Sequence, residues 1–269
     1  MNKAKSEKLK VKNIIKDILE KTREDLKMRK RTISLTGLGK LGRLGKLGKF
    51  RTAMLSSKKG IALIAEIKLA SPSEEDLGSF ETVLERAETY EKAGADAISV
   101  VVEKHFFKGD IAFIPKIKAV VSLPILMKDF VVDECQILEA VQAGADAILL
   151  IARIVDKETL QKLVTFAFEN GIEPIVEIDN ADDIQKAIGS KTRIIAVNAR
   201  DLDTFEVTVE RACEILKKIP NDYIKIGFSG IKSNKEVQKY KNAEARGVLV
   251  GTSLMKARNI KDFILSLRT

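Results

Sequence analysis

Glu66 and Lys68 stand two residues apart at the end of an apolar run, Ile61 to Ala65. On a β-strand, residues two apart share a face. A carboxylate and an ammonium would therefore meet on the inward side of a buried strand, where charge is costly unless paired or used. Ser71-Pro72-Ser73 then ends the run as a turn. The arrangement recurs. PILMKDF closes an apolar run with Lys128, EPIVEI with Glu177, and IIAVNARDL with Asn198 followed by Arg200. One such residue is explicable as a satisfied core polar group, but the whole set is not. Two lysines, two glutamates and an asparagine at strand ends suit acid–base chemistry. A lysine donates a proton to a carbonyl if it is charged and near, and a carboxylate takes one up. IKIGFSGI and GVLVGTSL run into Ser229-Gly230 and Gly251-Thr252-Ser253, Gly-rich turns that open helices. Their backbone N–H groups can hold a phosphate, with Lys68 as a third contact.

Residues at strand ends need strands that end together. From Ile61 onward apolar runs alternate with helical patterns. Strands are expected at 61–68, 97–101, 125–128, 147–151, 174–177, 194–198, 224–228 and 247–250. Helices are expected at 80–93, 111–120, 134–143, 157–170, 181–187, 208–219, 234–241 and 260–267. AGADAIS at 93–99 recurs as AGADAIL at 143–149, each a helix end, a Gly cap and a strand start. Eight strand–helix units predict an α/β fold, the (βα)8 TIM barrel, whose chemistry lies at the C-terminal strand ends.

The 269 residues suit one such barrel, which takes about 250. Residues 1–60 read as a basic N-terminal extension and 61–269 as the catalytic barrel. The extension holds 19 of the 47 Lys and Arg and 5 of the 38 Asp and Glu. Its net charge is +14 and that of the remainder −5. Helix-like spacing at 11–30 (Val11, Ile14, Ile15, Ile18, Leu19) predicts an amphipathic helix. Residues 36–50, with five glycines, read as a flexible basic tether. Such a stretch could also contact polyanions or a membrane surface, or order over an anionic substrate. A short helix is expected at 50–55. The lone His105 excludes His-rich metal sites and makes a Ser-His-Asp relay an unpromising reading. Cys135 and Cys213 read as reduced, packed thiols. No apolar run reaches the roughly 18 residues of a membrane span, and the N-terminus lacks a signal-peptide core, so a cytoplasmic location is expected. No motif for a metal or cofactor appears, and none is expected.

From about Phe50 to Leu267 the chain resembles the indole-3-glycerol-phosphate synthase family of tryptophan biosynthesis. The carriers are AEIKLASPS, SVVVEKHFFKGD, LPILMKDFVVDECQILEAVQAGADAILLI, EPIVEI, VNARDLDTFEV, FSGI and VLVGTSLM. The resemblance implies a decarboxylating and dehydrating ring closure of 1-(2-carboxyphenylamino)-1-deoxyribulose 5-phosphate. It casts Lys128 as general acid on the ketone and Glu177 as base or acid in the dehydration. Lys68 assists and helps hold phosphate, while Glu66 and Asn198 orient the lysines and the intermediate. Ser71 and Arg200 would meet the anthranilate portion, and Pro72, Phe107 and Phe130 would form its apolar pocket. Ser229, Gly230, Gly251 and Thr252 would hold the phosphate. The partner implied is a small phosphorylated substrate, with no nucleic acid or membrane, and a monomer by default.

The chain departs from the family at Phe228, where a glutamate is usual, at Leu69, where a basic residue is common, and at Val102, often Thr. Glu74-Glu75-Asp76 add acid beside SPS. These departures keep open a weakened or repurposed phosphate-binding barrel of the same fold. The other readings are a phosphoribosyl isomerase, against which Lys68, Lys128 and Glu177 argue, and an RNA- or membrane-associated protein acting through residues 1–60.

Overall fold

The computed structural model describes residues 2–32, 48–57, 60–72, 74 and 76–268, with side chains from residue 14 to 29 in the first helix. The expected tether at 36–50 lies outside the described residues up to 47. Eight parallel strands close into a barrel in sequence order, β1 pairing with both β2 and β8. They are β1 Ala62–Ile67, β2 Ala97–Val101, β3 Ile125–Lys128, β4 Ala147–Ile151, β5 Glu173–Ile178, β6 Ile194–Asn198, β7 Ile224–Phe228 and β8 Gly247–Val250. The strand expectations hold to within one residue at each end.

Two nested cores follow from the period of two along each strand. One alternate set, including Leu63, Ala65, Ile98, Val100, Ile148 and Leu150, packs outward under the helices. The other, including Ala62, Ile64, Leu126, Leu149, Ile175, Ala196 and Ile226, fills the barrel interior. The helices of the ring are α3 Val83–Lys92, α4 Phe113–Lys118, α5 Glu134–Ala143, α6 Lys157–Glu169, α7 Ile184–Gly189, α8 Val209–Lys218, α9 Asn234–Asn242 and α11 Ile260–Ser266, with a single extra turn α10 at Thr252–Met255. The expected helix at 80–93 opens instead as a 3-10 turn, Phe80–Thr82. The helix expected from 181 starts at Ile184, after Asn180 and Asp183 have bonded each other.

The repeated AGADAI segment does the same work twice. Gly94 and Gly144 take left-handed φ of 89° and 86°, which only glycine adopts without strain. The aspartates that follow stitch strands together: Asp96 accepts the Leu63 N–H and Asp146 the Ile125 N–H, each at 2.8 Å.

Two further helices seal the ends. α2 Lys49–Leu55 buries Phe50 and Met54 against the interior core at the N-terminal base. Gly247 permits this, because a Cβ there would lie 2.9 Å from the Met54 sulfur. α1 Asn2–Thr32 lies over the mouth and buries Ile18 and Leu26. Arg29 reaches Glu139 at 2.8 Å, and Asp25 pairs with Lys104 at 2.8 Å and His105 at 3.0 Å.

Candidate active site

The interior positions run out of apolar residues together at the C-terminal rim. Glu66 continues the phase of Ala62 and Ile64, Lys128 that of Leu126, Glu177 that of Ile175, and Asn198 that of Ile194 and Ala196. Each is the last inward position of its strand or follows it. A cavity of about 470 Å³ opens there, and every residue given a site role from the sequence lines it: Glu66, Lys68, Ser71, Pro72, Phe107, Lys128, Phe130, Glu177, Asn198, Arg200, Ser229, Gly230, Gly251 and Thr252.

The charges are arranged in linked pairs. Lys68 Nζ lies 2.9 Å from Glu66 Oε1. The approach depends on Gly251, where a Cβ would fall 2.2 Å from the same oxygen and 3.1 Å from Lys68 Nζ. Asn198 Nδ2 donates to Glu177 Oε1 at 3.0 Å, and Asn198 Oδ1 accepts the Arg200 N–H at 3.0 Å, which fixes the amide between strand end and loop. Glu177 Oε2 is buried with no protein partner among the described residues. Lys128 lines the same cavity and acts through space on both carboxylates. It forms no ion pair like that of Lys68 among the described residues.

The two glutamates are driven in opposite directions. Burial would push Glu66 up, but Lys68, Lys128 and Arg200 outweigh it and hold the carboxyl below its ordinary value. Burial also pushes Glu177 up, and there Lys128 and the Asn198 hydrogen bond offset it only in part. Glu66 therefore stays ionised, while Glu177 holds a proton above the ordinary carboxylate range. Paired titratable groups pushed apart in this way mark a division of acid and base roles.

The apolar side of the cavity is Phe107 and Phe130, with ring centroids 6.2 Å apart. Gln136, at the first turn of α5, holds Phe130 in place. Its Nε2 donates to the Phe130 carbonyl at 3.1 Å and to Asp129 Oδ2 at 3.3 Å, and its Oε1 accepts the Val132 N–H at 2.9 Å. Opposite, the turns after β7 and β8 are tied together. Ser229 and Gly230 both have positive φ, 70° and 81°. The Tyr240 hydroxyl donates to one of the Phe228 and Ser229 carbonyls, 3.1 and 3.0 Å away, and Ser253 Oγ donates to the Ile231 carbonyl at 2.6 Å. A serine held left-handed is strained, and such strain gathers at functional sites.

Several cavity residues carry no motif of their own. Ile15 and Ile18 reach it from α1, and Glu103 and Asp129 line its wall. The period of α1 shows an apolar stripe without its destination. Asp129 is hidden by its neighbours in KDF, although burial lifts its carboxyl to about 6 against the Phe130 N–H and Gln136. Glu103 had a usable signal, a glutamate two residues beyond the second strand, near the strand end as Glu66 and Glu177 are in the first and fifth. Phe228, 1% exposed, continues the inward phase of Ile224 and Ile226 and faces the cavity where a carboxylate is usual in the family that the motifs resemble.

The family described as indole-3-glycerol phosphate synthase matches residues 15–267. An indole-3-glycerol phosphate synthase of Campylobacter hominis is 40% identical over 250 residues, 92% of this chain and 96% of that one. One from Aquifex aeolicus is 41% identical over 202 residues, 74% of this chain and 78% of that one. Among solved structures, a 3-hexulose-6-phosphate synthase superposes with a TM-score of 0.64 at 18% identity, covering 77% of this chain and 98% of that one. That likeness concerns the barrel alone.

Proposed function

Since the chain belongs to the indole-3-glycerol phosphate synthase family, we propose that it is a carboxy-lyase. It closes the indole ring of 1-(2-carboxyphenylamino)-1-deoxyribulose 5-phosphate with loss of CO2 and water. Lys128 donates a proton to the ketone as the aromatic carbon attacks it. The ring carbon that bore the carboxylate then loses CO2. Glu177 serves the dehydration, with Asn198 holding one oxygen and leaving Oε2 to the substrate. Glu66 pairs with Lys68 and holds its ammonium close to the turns that take the phosphate.

The substrate carries a phosphate and a carboxylate, and the cavity offers Lys68, Lys128 and Arg200 around them. Ser71 and Arg200 meet the anthranilate carboxylate, and Pro72, Phe107 and Phe130 cover its ring. The phosphate is held by backbone and hydroxyl groups of Ser229, Gly230, Gly251 and Thr252. We place the chain in the cytoplasm as a biosynthetic enzyme of tryptophan formation, working as a monomer, with residues 61–269 as its catalytic barrel.

The observation that carries this reading is the opposite displacement of Glu66 and Glu177 around one lysine in one cavity. The experiment is to supply the substrate and follow CO2 release together with indole absorbance. Equal molar yields of both are expected. CO2 without indole, or no turnover at saturating substrate, contradicts the proposal.

A further inference from the structure

Glu103 faces the catalytic cavity just beyond β2 and is 4% exposed, yet its carboxylate is committed to the backbone of its own loop. Oε1 accepts the His105 N–H at 2.9 Å, and Oε2 accepts those of Phe106 at 2.7 Å and Phe107 at 3.0 Å. Three consecutive amides thus converge on one carboxylate. Hydrogen bonds to a charged acceptor are the strong kind. Gly109 closes the loop by donating to the Glu103 carbonyl at 2.8 Å. It passes so near the strand end that a Cβ would fall 2.4 Å from the Val101 carbonyl oxygen.

What the loop presents is Phe107. Its ring forms the pair with Phe130. Its carbonyl accepts the Ala70 N–H at 3.1 Å, which ties it to the loop carrying Ser71 and Pro72. From outside, Asp25 of α1 grips Lys104 and His105 in the same turn.

We propose that Glu103 is a positioning residue, a carboxylate template that folds residues 103–109 so that Phe107 completes the aromatic wall over the anthranilate ring. Its part is structural and not proton transfer, since three of its roughly four acceptor sites are taken by backbone donors. This rests on the proposed function for what the wall covers, and on geometry alone for the template.

The test is Glu103→Gln, Glu103→Asp, Phe107→Ala and the Glu103→Gln/Phe107→Ala double variant, read by amide hydrogen exchange and by steady-state kinetics against pH. In Glu103→Gln the amides of residues 105–107 exchange about tenfold faster or more, as expected when hydrogen bonds to a charge are lost. Its KM rises about tenfold, kcat stays within about threefold, and the pH profile does not move. Glu103→Asp, which keeps the charge, falls between wild type and Glu103→Gln in both readouts. The double variant is no worse than Phe107→Ala, since both act through one ring. Unchanged exchange at 105–107 in Glu103→Gln overturns the template whether or not the enzyme turns over, and distinguishes its failure from failure of the proposed function. A kcat loss of about a hundredfold with a lost pH limb, or effects that multiply in the double variant, overturns the positioning role.

Discussion

The fifth strand carries a buried glutamate at each end, and the two ends of the barrel treat them differently. Glu177 at the mouth and Glu173 at the base are 1% and 0% exposed, and burial pushes both carboxyls up. At the mouth, Asn198 holds one oxygen, Lys128 stands near, and the free oxygen belongs to a cavity lined by the other charged residues. At the base both Glu173 oxygens lack a protein partner among the described residues, and Arg51 and Arg193 offset burial only through space. Phe50 and Met54 close that end with apolar surface. The base's buried Lys225 is instead paired, donating to Asn221 at 2.7 Å and Glu244 at 2.9 Å. Burial raises a carboxyl at either end. What marks the mouth is a second carboxyl driven the other way and a shared space for a substrate.

The sharpest way to break that contrast is at Glu177. Glu177→Gln keeps the shape and removes the proton site, and kcat should fall about 10³-fold. The pH profile also separates its two roles. The wild-type limb lies above the ordinary carboxylate range. It falls on the acid side if Glu177 works as a base and on the alkaline side if it works as an acid. The Gln variant should lack that limb.

Gly251→Ala comes next. The new Cβ would push Glu66 away from Lys68, and a displacement of about 1 Å at a catalytic group costs about a hundredfold in kcat/KM. The measurement is kcat/KM beside a melting curve, with the fold retained.

Phe228→Glu is smaller and tests the departure from the family. It adds a hydrogen-bond acceptor to the cavity and should raise kcat/KM several-fold. Placing a carboxylate at a 1% exposed position should cost about 1–3 kcal/mol of stability. An unchanged kcat/KM would show that Phe228 plays no part in substrate handling.

The smallest effect belongs to the base. A carboxyl whose folded value is raised contributes stability below its unfolded value, and loses it as pH rises through the folded one. Glu173→Gln removes that loss. The variant should match wild type in kcat at all pH values and melt about 2–4 °C higher at pH 8, on the scale of about 1 kcal/mol. At pH 4 the gap should close. An activity change would mean the two ends are coupled.

The mouth was legible in the sequence because its polar residues interrupt apolar strands in phase, and phase is written in the chain. Glu66, Lys128, Glu177 and Asn198 each follow inward positions, and the structure brings all of them to one cavity. Glu173 was not legible. It precedes Pro174 in EPIVEI, where Glu177 claims the pattern, and its burial depends on closure of the barrel and on α2. The roof was also hidden: Ile15 and Ile18 give α1 an apolar stripe, but only the tertiary fold aims it at the mouth. Glu103 resembles Glu66 and Glu177 in sequence and differs from them by three backbone amides, a distinction that belongs to loop geometry.

In the proposed function Lys128 delivers the proton that starts ring closure. The chain has no tryptophan, so indole fluorescence can be followed against a dark protein background. Wild type and Lys128→Ala are compared at saturating 1-(2-carboxyphenylamino)-1-deoxyribulose 5-phosphate. A clear signal from wild type and one at least about 10³-fold slower from Lys128→Ala are predicted. Product at the wild-type rate from Lys128→Ala would contradict the account.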